Sequence, residues 1–168
     1  MANGLTVLYD ACVFYPNHLR DILMQLSTTG LFAAKWTEQI HDEWMRNLRL
    51  NRPDIDTDKL ETLKQRINQS VPDCLATDFE HIIPSLDLPD PDDRHVLAAA
   101  IAVKADILVT VNLKDFPNSI LAQYDIEVQH PDNFIADLLD LKPLQIIQAI
   151  QTIQTRLKKP PVSFDEYL

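Results

Sequence analysis

Glycine is nearly missing: the 168-residue chain holds only Gly4 and Gly30. A dinucleotide G-x-G-x-x-G fingerprint, a phosphate-cradling Walker loop and a G-x-S-x-G nucleophile elbow are all excluded, because each needs closely spaced glycines where the backbone turns sharply or meets a phosphate. An H-E-x-x-H zinc motif is absent too. Cysteine is scarce: Cys12 and Cys74 lie far apart and match no metal or redox spacing, so a reduced, cytoplasmic protein is the expectation. No apolar run approaches the roughly 18 residues of a membrane span, the longest being Val96–Val103. The start, "MANGLTVLYD", lacks the basic-then-apolar pattern of a secretory signal. Positive charge is the last shortage. With 15 Lys and Arg against 25 Asp and Glu, the net charge is −10, which argues against a broad polyanion-binding surface but leaves room for a local basic patch.

What is present fits one globular unit with a full core, since 46% of residues are hydrophobic. "LTVLYDACVFY" (5–15) reads as a buried strand ending near Asp10. A helix is expected over 18–30, closed by Gly30, and another over 36–50 with Thr37 as N-cap. A third spans Thr57–Val71, and an alanine-rich helix, apolar nearly all round, covers 93–104. "DILVTV" (106–111) reads as a central strand, "IEVQ" (126–129) as a short one, and "PDNFIADLL" (131–139) as a helix start. Strands alternating with helices imply a parallel sheet covered on both faces, an α/β/α sandwich. The helix over 144–157 is amphipathic, with Ile146, Ile150, Ile153 and Leu157 as one stripe expected to pack on its own domain, or else to serve as an interface. Residues 158–168 read as a tail.

Chemistry concentrates in acids. "DLPDPDDRHVLAAAI" (87–101) crowds Asp87, Asp90, Asp92 and Asp93 before the alanine-rich helix. Helix N-termini welcome one carboxylate, but several repel one another unless a cation sits among them. In open α/β sheets, sites form beyond the carboxyl ends of strands. Asp10 lies at one such end, and "VTVNLKDFP" places Asn112 and Asp115 just past another. On helix 36–50, at 100° per residue, Trp36, Ile40, Trp44 and Leu48 form the buried stripe. Glu43 falls within about 20° of Trp36, whereas Glu38 and Asp42 point elsewhere. Oxygen ligands without His or Cys indicate a hard cation, Mg²⁺ or Mn²⁺.

Four stretches, "LYDACVFYP", "WTEQIHDEW", "LPDPDDRHVLAAAI" and "LVTVNLKDFP", together resemble the PIN-domain ribonucleases, which include VapC-like toxins of toxin–antitoxin pairs. They stand in family order over about residues 7–117. The resemblance implies a parallel sheet between helical layers, with a nuclease domain over 1–140 and the amphipathic helix and tail over 141–168. It implies a Mg²⁺ or Mn²⁺ site and in-line attack by a metal-activated water on RNA, leaving a 5′-phosphate. By position, Asp10, Glu43, Asp93 and Asp115 are the catalytic, metal-holding acids, with Asp90 assisting and Thr110 and Asn112 supporting. Asn112 stands where many members are acidic, and Cys12 where many have Asn. Asp93 is expected both to cap the alanine-rich helix and to bind metal. RNA substrate, an antitoxin partner and a homodimer follow from the same likeness.

Arg46, Arg49 and Arg52 recur every third residue and form a candidate RNA-holding ridge, or else a solvated helix face. His41 and His95 would suit a paired-imidazole mechanism instead, but His95 is expected at the surface or behind the acids. A phospho-receiver domain also gathers Asp at strand ends, yet the acidic pair at the first strand end is lacking. A PIN fold kept as a catalytically silent binding module is the other alternative.

Overall fold

The computed structural model describes residues 4–157. Strand β1 (Thr6–Tyr9) leads through a 3-10 turn to helix α1 (Asn17–Ser27), strand β2 (Ala33–Lys35) and helices α2 (Glu38–Asn51) and α3 (Thr57–Ser70). Helix α4 (Arg94–Ala102), strand β3 (Ile107–Val109), helix α5 (Asn118–Leu121), strand β4 (Glu127–Gln129) and helices α6 (Pro131–Leu141) and α7 (Pro143–Leu157) follow. The sheet is parallel throughout, in the order β2-β1-β3-β4. Leu8 stands level with Lys35 on one side and Leu108 on the other. The strands alternate with helices along the chain, giving the α/β/α sandwich expected of a PIN-like fold.

Why the middle strands sit in the middle is plain from their residues. Val7, Leu8, Tyr9, Leu108 and Val109 are all fully buried, as continuous apolar strands must be when helices cover both faces. Strand β2, "AAK", carries no β-forming side chain and was not anticipated. It exists because the β1 backbone pairs with it and the residue just ahead of β1 adds a partner, Ala33 N–H bonding Leu5 O at 2.8 Å. Trp36 likewise stays extended, bridging Leu75, rather than opening α2. Thr37 caps α2 as expected, its hydroxyl accepting the Ile40 N–H at 3.0 Å.

One helix end and one buried face depart from the sequence expectation. Helix α1 stops at Ser27, where Thr28 and Thr29 hydroxyls take the carbonyls of Gln25 and Leu26. Gly30 instead lies at φ 80° in the turn to β2, a left-handed backbone that glycine adopts without strain. On α7, Ile146, Ala149 and Ile153 are buried against α1 and α6, while Ile150 is 36% exposed. The predicted stripe leaned on large residues. Small Ala149 shifts its true centre by about 40–70° away from Ile150. Leu157 ends α7, and the tail 158–168 lies outside the described residues. No helix among the described residues is long and apolar enough to cross a membrane.

The core is strongly aromatic below the sheet's carboxyl end. Tyr9 and Trp36 stack with centroids 6.1 Å apart, and Phe14 meets Trp36 edge-on at 5.5 Å. Each such ring, fully buried, stabilises by about 1.5–3 kcal/mol, so the platform under the candidate site is rigid.

Candidate active site

The chain leaves β1 in one direction to form β2 and later returns on the other side to form β3, so strand order reverses between β1 and β3. That point is where open α/β sheets open a crevice. Asp10 and Thr110 are the residues immediately beyond these two strands, and both are buried. The Asp10 carboxylate accepts the Ala11 N–H at 2.8 Å, the Thr110 hydroxyl at 2.8 Å and the Cys12 thiol at 3.4 Å. The Thr110 oxygen in turn accepts the Asn112 N–H at 3.0 Å. Burial pushes the Asp10 carboxyl above the ordinary range; these hydrogen bonds oppose the rise, and the charge of Glu43 adds to it.

Cys12 makes polar contacts of its own. It bonds Asp10, lies 3.4 Å from the Thr110 hydroxyl and accepts the Val111 N–H at 3.4 Å. Burial and the Asp10 carboxylate push its thiol up to about 12, so it packs as a neutral group.

Glu43 enters from α2. Of the acids on that helix it alone turns inward, half-buried, while Glu38 and Asp42 are exposed, as the helical geometry requires. Its Oε1 meets Nε2 of His95 at 2.5 Å. His95 is therefore not a surface residue: it is buried at the start of α4. His41 is also engaged, accepting the Trp44 indole N–H at Nδ1 and bonding Asn68 through Nε2. Both imidazoles are thus tied into the structure, and the paired-imidazole mechanism loses its candidates.

The acidic loop resolves into distinct roles. Asp90, not Asp93, does the capping: its carboxylate accepts the Asp92 N–H at 2.9 Å at the head of a 3-10 turn over Pro91–Asp93. Asp93 occupies the N-cap position of α4 but has helical backbone angles and makes no side-chain cap bond. The expected double role of Asp93 is corrected accordingly. The added turn of 3-10 helix moves the capping demand upstream and releases its carboxylate. Asp87, Asp90 and Asp92 are exposed, and Asp93 alone is half-buried. Burial, then the charges of Asp10, Asp90, Asp115 and Glu43, push its carboxyl up from 3.8 to about 7.

Asp115 is half-buried at the end of a short turn past β3, its N–H bonded to Asn112 O at 3.0 Å. The Asn112 side chain is exposed. The structure therefore brings Asp10, Glu43, Asp93, Asp115 and Asp90 into one electrostatic neighbourhood from separated segments. Among the described residues, no three His, Cys, Asp or Glu side chains stand close enough to make a ready metal cage. The donors are nonetheless all oxygen, which suits Mg²⁺, an ion that keeps several waters and takes one or two carboxylates directly.

The arginine ridge is shorter than its spacing implies. Arg46 and Arg49 are exposed on α2, but Arg52 is the C-cap residue and forks onto Asp54 at 3.0 and 2.9 Å. The sequence reading undervalued His95 and Cys12. A lone histidine opening the buried run "HVLAAA" was the available signal for the first, and for the second only its place two residues after Asp10.

A family model described as "PIN domain" matches residues 6–114, and one described as "VapC50 C-terminal domain" matches 131–168, beginning at α6. The curated "Putative ribonuclease VapC50" of Mycobacterium tuberculosis (strain ATCC 25618 / H37Rv) is 55% identical over 49 residues, 29% of this chain and 29% of that protein. The match thus spans under a third of that relative's length. No solved structure matches the chain significantly. The topology, the switch-point acids and a model match running from β1 past β3 agree, and the chain belongs to the PIN-domain family.

Proposed function

We propose that this chain is a ribonuclease that hydrolyses RNA phosphodiesters with Mg²⁺ or Mn²⁺, and that it acts as the toxin of a toxin–antitoxin pair. The observation carrying the reading is the convergence of Asp10, Glu43, Asp93 and Asp115 from separate elements on the β1/β3 switch point, where burial and then their mutual charge lift the Asp93 carboxyl to about 7. A protein gathers such repulsion where a cation offsets it. In this reading Asp10, Glu43, Asp93 and Asp115 hold the cation, with Asp90 shaping the field. A divalent ion bound there supplies charge neutralisation at a phosphate and acidifies a water.

The chain's own residues do the rest. Thr110 and the Ala11 N–H fix the aim of Asp10. Asn112 braces Thr110 through its backbone. Asp93, whose carboxyl is raised to about 7, is an acid whose ionisation an added cation would favour. Arg46 and Arg49, on the same helix as Glu43, offer positive charge to the RNA backbone, as do Arg94 beside Asp93 and Lys114 beside Asp115. The likeness to a ribonuclease, VapC50, supports the nuclease reading; the toxin role, an antitoxin protein and a second copy of the chain as partners, and the cytoplasm as compartment belong to the same proposal. The division proposed with it is a nuclease unit over 1–140 with 141–168 appended, although the C-terminal family match begins upstream of that boundary, at residue 131.

The test is cleavage of single-stranded RNA by purified wild-type, Asp10→Asn, Asp93→Asn and Glu38→Gln proteins, in Mg²⁺, Mn²⁺ or EDTA. Wild type and Glu38→Gln should cut with either ion and not in EDTA, and the two Asn variants should be inactive. Undiminished cleavage by the Asn variants would refute the catalytic assignment, and a wild type inert on all RNA would favour a silent binding module.

A further inference from the structure

The Glu43–His95 contact is unusual in what it leaves undone. Nε2 of His95 meets Glu43 Oε1 at 2.5 Å, while Nδ1 of the same ring is buried with no hydrogen-bond partner among the described residues. His95 is 4% exposed and begins a run, Val96–Ala100, in which every residue is buried. Placing a polar ring in that run with half its capacity unmet costs stability, since an unpaired buried group forfeits its hydration. A purely apolar residue would pack there at less cost. The ring earns its place by what Nε2 does.

We propose that His95 is a positioning residue for Glu43, resting on the metal-dependent reading above. Glu43 accepts, so Nε2 carries the proton. The Nε2–H donates to Oε1 and leaves Oε2, which makes no hydrogen bond among the described residues, as the oxygen open to a cation. The bond crosses from α4 to α2, between residues 52 apart in sequence. Because α4 also begins beside Asp93, one rigid helix start sets two of the acids relative to each other. Without the donor, the half-buried Glu43 would retain the spread of rotamers that a long carboxylate has, and a cation would have to order it. Hydrogen-bond partners that orient ligating carboxylates characteristically contribute 10–100-fold to metal affinity.

The test is Mn²⁺ binding by titration calorimetry on the full-length protein. The variants are His95→Phe, His95→Gln, His95→Asn, Glu43→Gln, Asp10→Asn and the double variant Glu43→Gln/His95→Phe, with melting in EDTA as the check on folding. His95→Phe should weaken Mn²⁺ binding by about 10–100-fold. His95→Gln, whose amide N–H reaches roughly where Nε2 stood, should restore most of the affinity. His95→Asn, whose shorter amide overlays Nδ1 instead, should not, and this pair decides the matter if the Phe variant does not fold. In the Glu43→Gln background His95→Phe should cost far less than in wild type, because the two residues act as one unit. Wild-type affinity in His95→Phe, equal affinities in the Gln and Asn variants, or a His95→Phe loss undiminished by Glu43→Gln would overturn the proposal. If Asp10→Asn abolishes binding while His95→Phe binds Mn²⁺ as tightly as wild type, the positioning role alone falls. A wild type that binds no Mn²⁺ overturns the metal reading and this role with it.

Discussion

Asp93→Asn should stabilise the protein in EDTA, and only where Asp93 would be charged. In the folded chain its carboxyl sits at about 7 against an ordinary 3.8. Between about pH 4 and 7 the unfolded chain has lost this proton and the folded chain retains it, so stability falls as pH rises through that window. Above pH 7 the penalty is complete. Each pKa unit corresponds to about 1.4 kcal/mol, which sets a ceiling of ~4 kcal/mol. Water reaches this half-buried group and screens its neighbours, so ~2 kcal/mol is the working figure. For a chain of this size that is a melting shift of roughly 4–8 °C. Urea and thermal melts of wild type and Asp93→Asn at pH 4, 5.5 and 8 measure it, and titrations common to both proteins cancel in the difference. The variant should match wild type at pH 4 and exceed it by ~2 kcal/mol at pH 8. Mg²⁺ at 100 times its dissociation constant should then add about 2.7 kcal/mol to wild type and much less to the variant. A variant less stable than wild type at pH 8, or a difference independent of pH, would refute the charge argument and restore Asp93 as a helix-terminal stabiliser.

Thr110→Val should destabilise by about 1.5–3 kcal/mol in urea melts, because it strips a hydroxyl from the buried Asp10 carboxylate at nearly constant shape, and Thr110→Ser should recover most of that loss. Arg46→Ala with Arg49→Ala should weaken RNA binding and reduce its salt slope by up to about 1.4, near 0.7 per single-strand phosphate contact. Arg52→Ala should change the slope far less because Asp54 already holds that guanidinium, and an unchanged slope in the Arg46/Arg49 double variant would make the ridge a solvated face.

Period and local chemistry were enough to determine much of this protein. The apolar runs of β1 and β3 required a sheet covered on both faces. Turning 100° per residue along α2 was enough to pick Glu43 from three acids, and a threonine before "EQIHDEW" was enough to place the cap. The order of four acidic stretches along the chain marked the family. These are properties that one segment possesses by itself, since helical rotation and capping act within a turn. Tertiary structure decided the rest. "AAK" became a strand only because β1 presented an open edge, and α7 buried Ala149 rather than Ile150 only once α1 and α6 had set its rotation. Asp93 was released from capping by the turn that packs ahead of it. Cys12 found Thr110 across 98 residues, and Glu43 found His95 across 52, because sheet register and helix packing brought them level. Side-chain partners so distant in sequence leave no period to read, and the contacts that aim a carboxylate are of that kind.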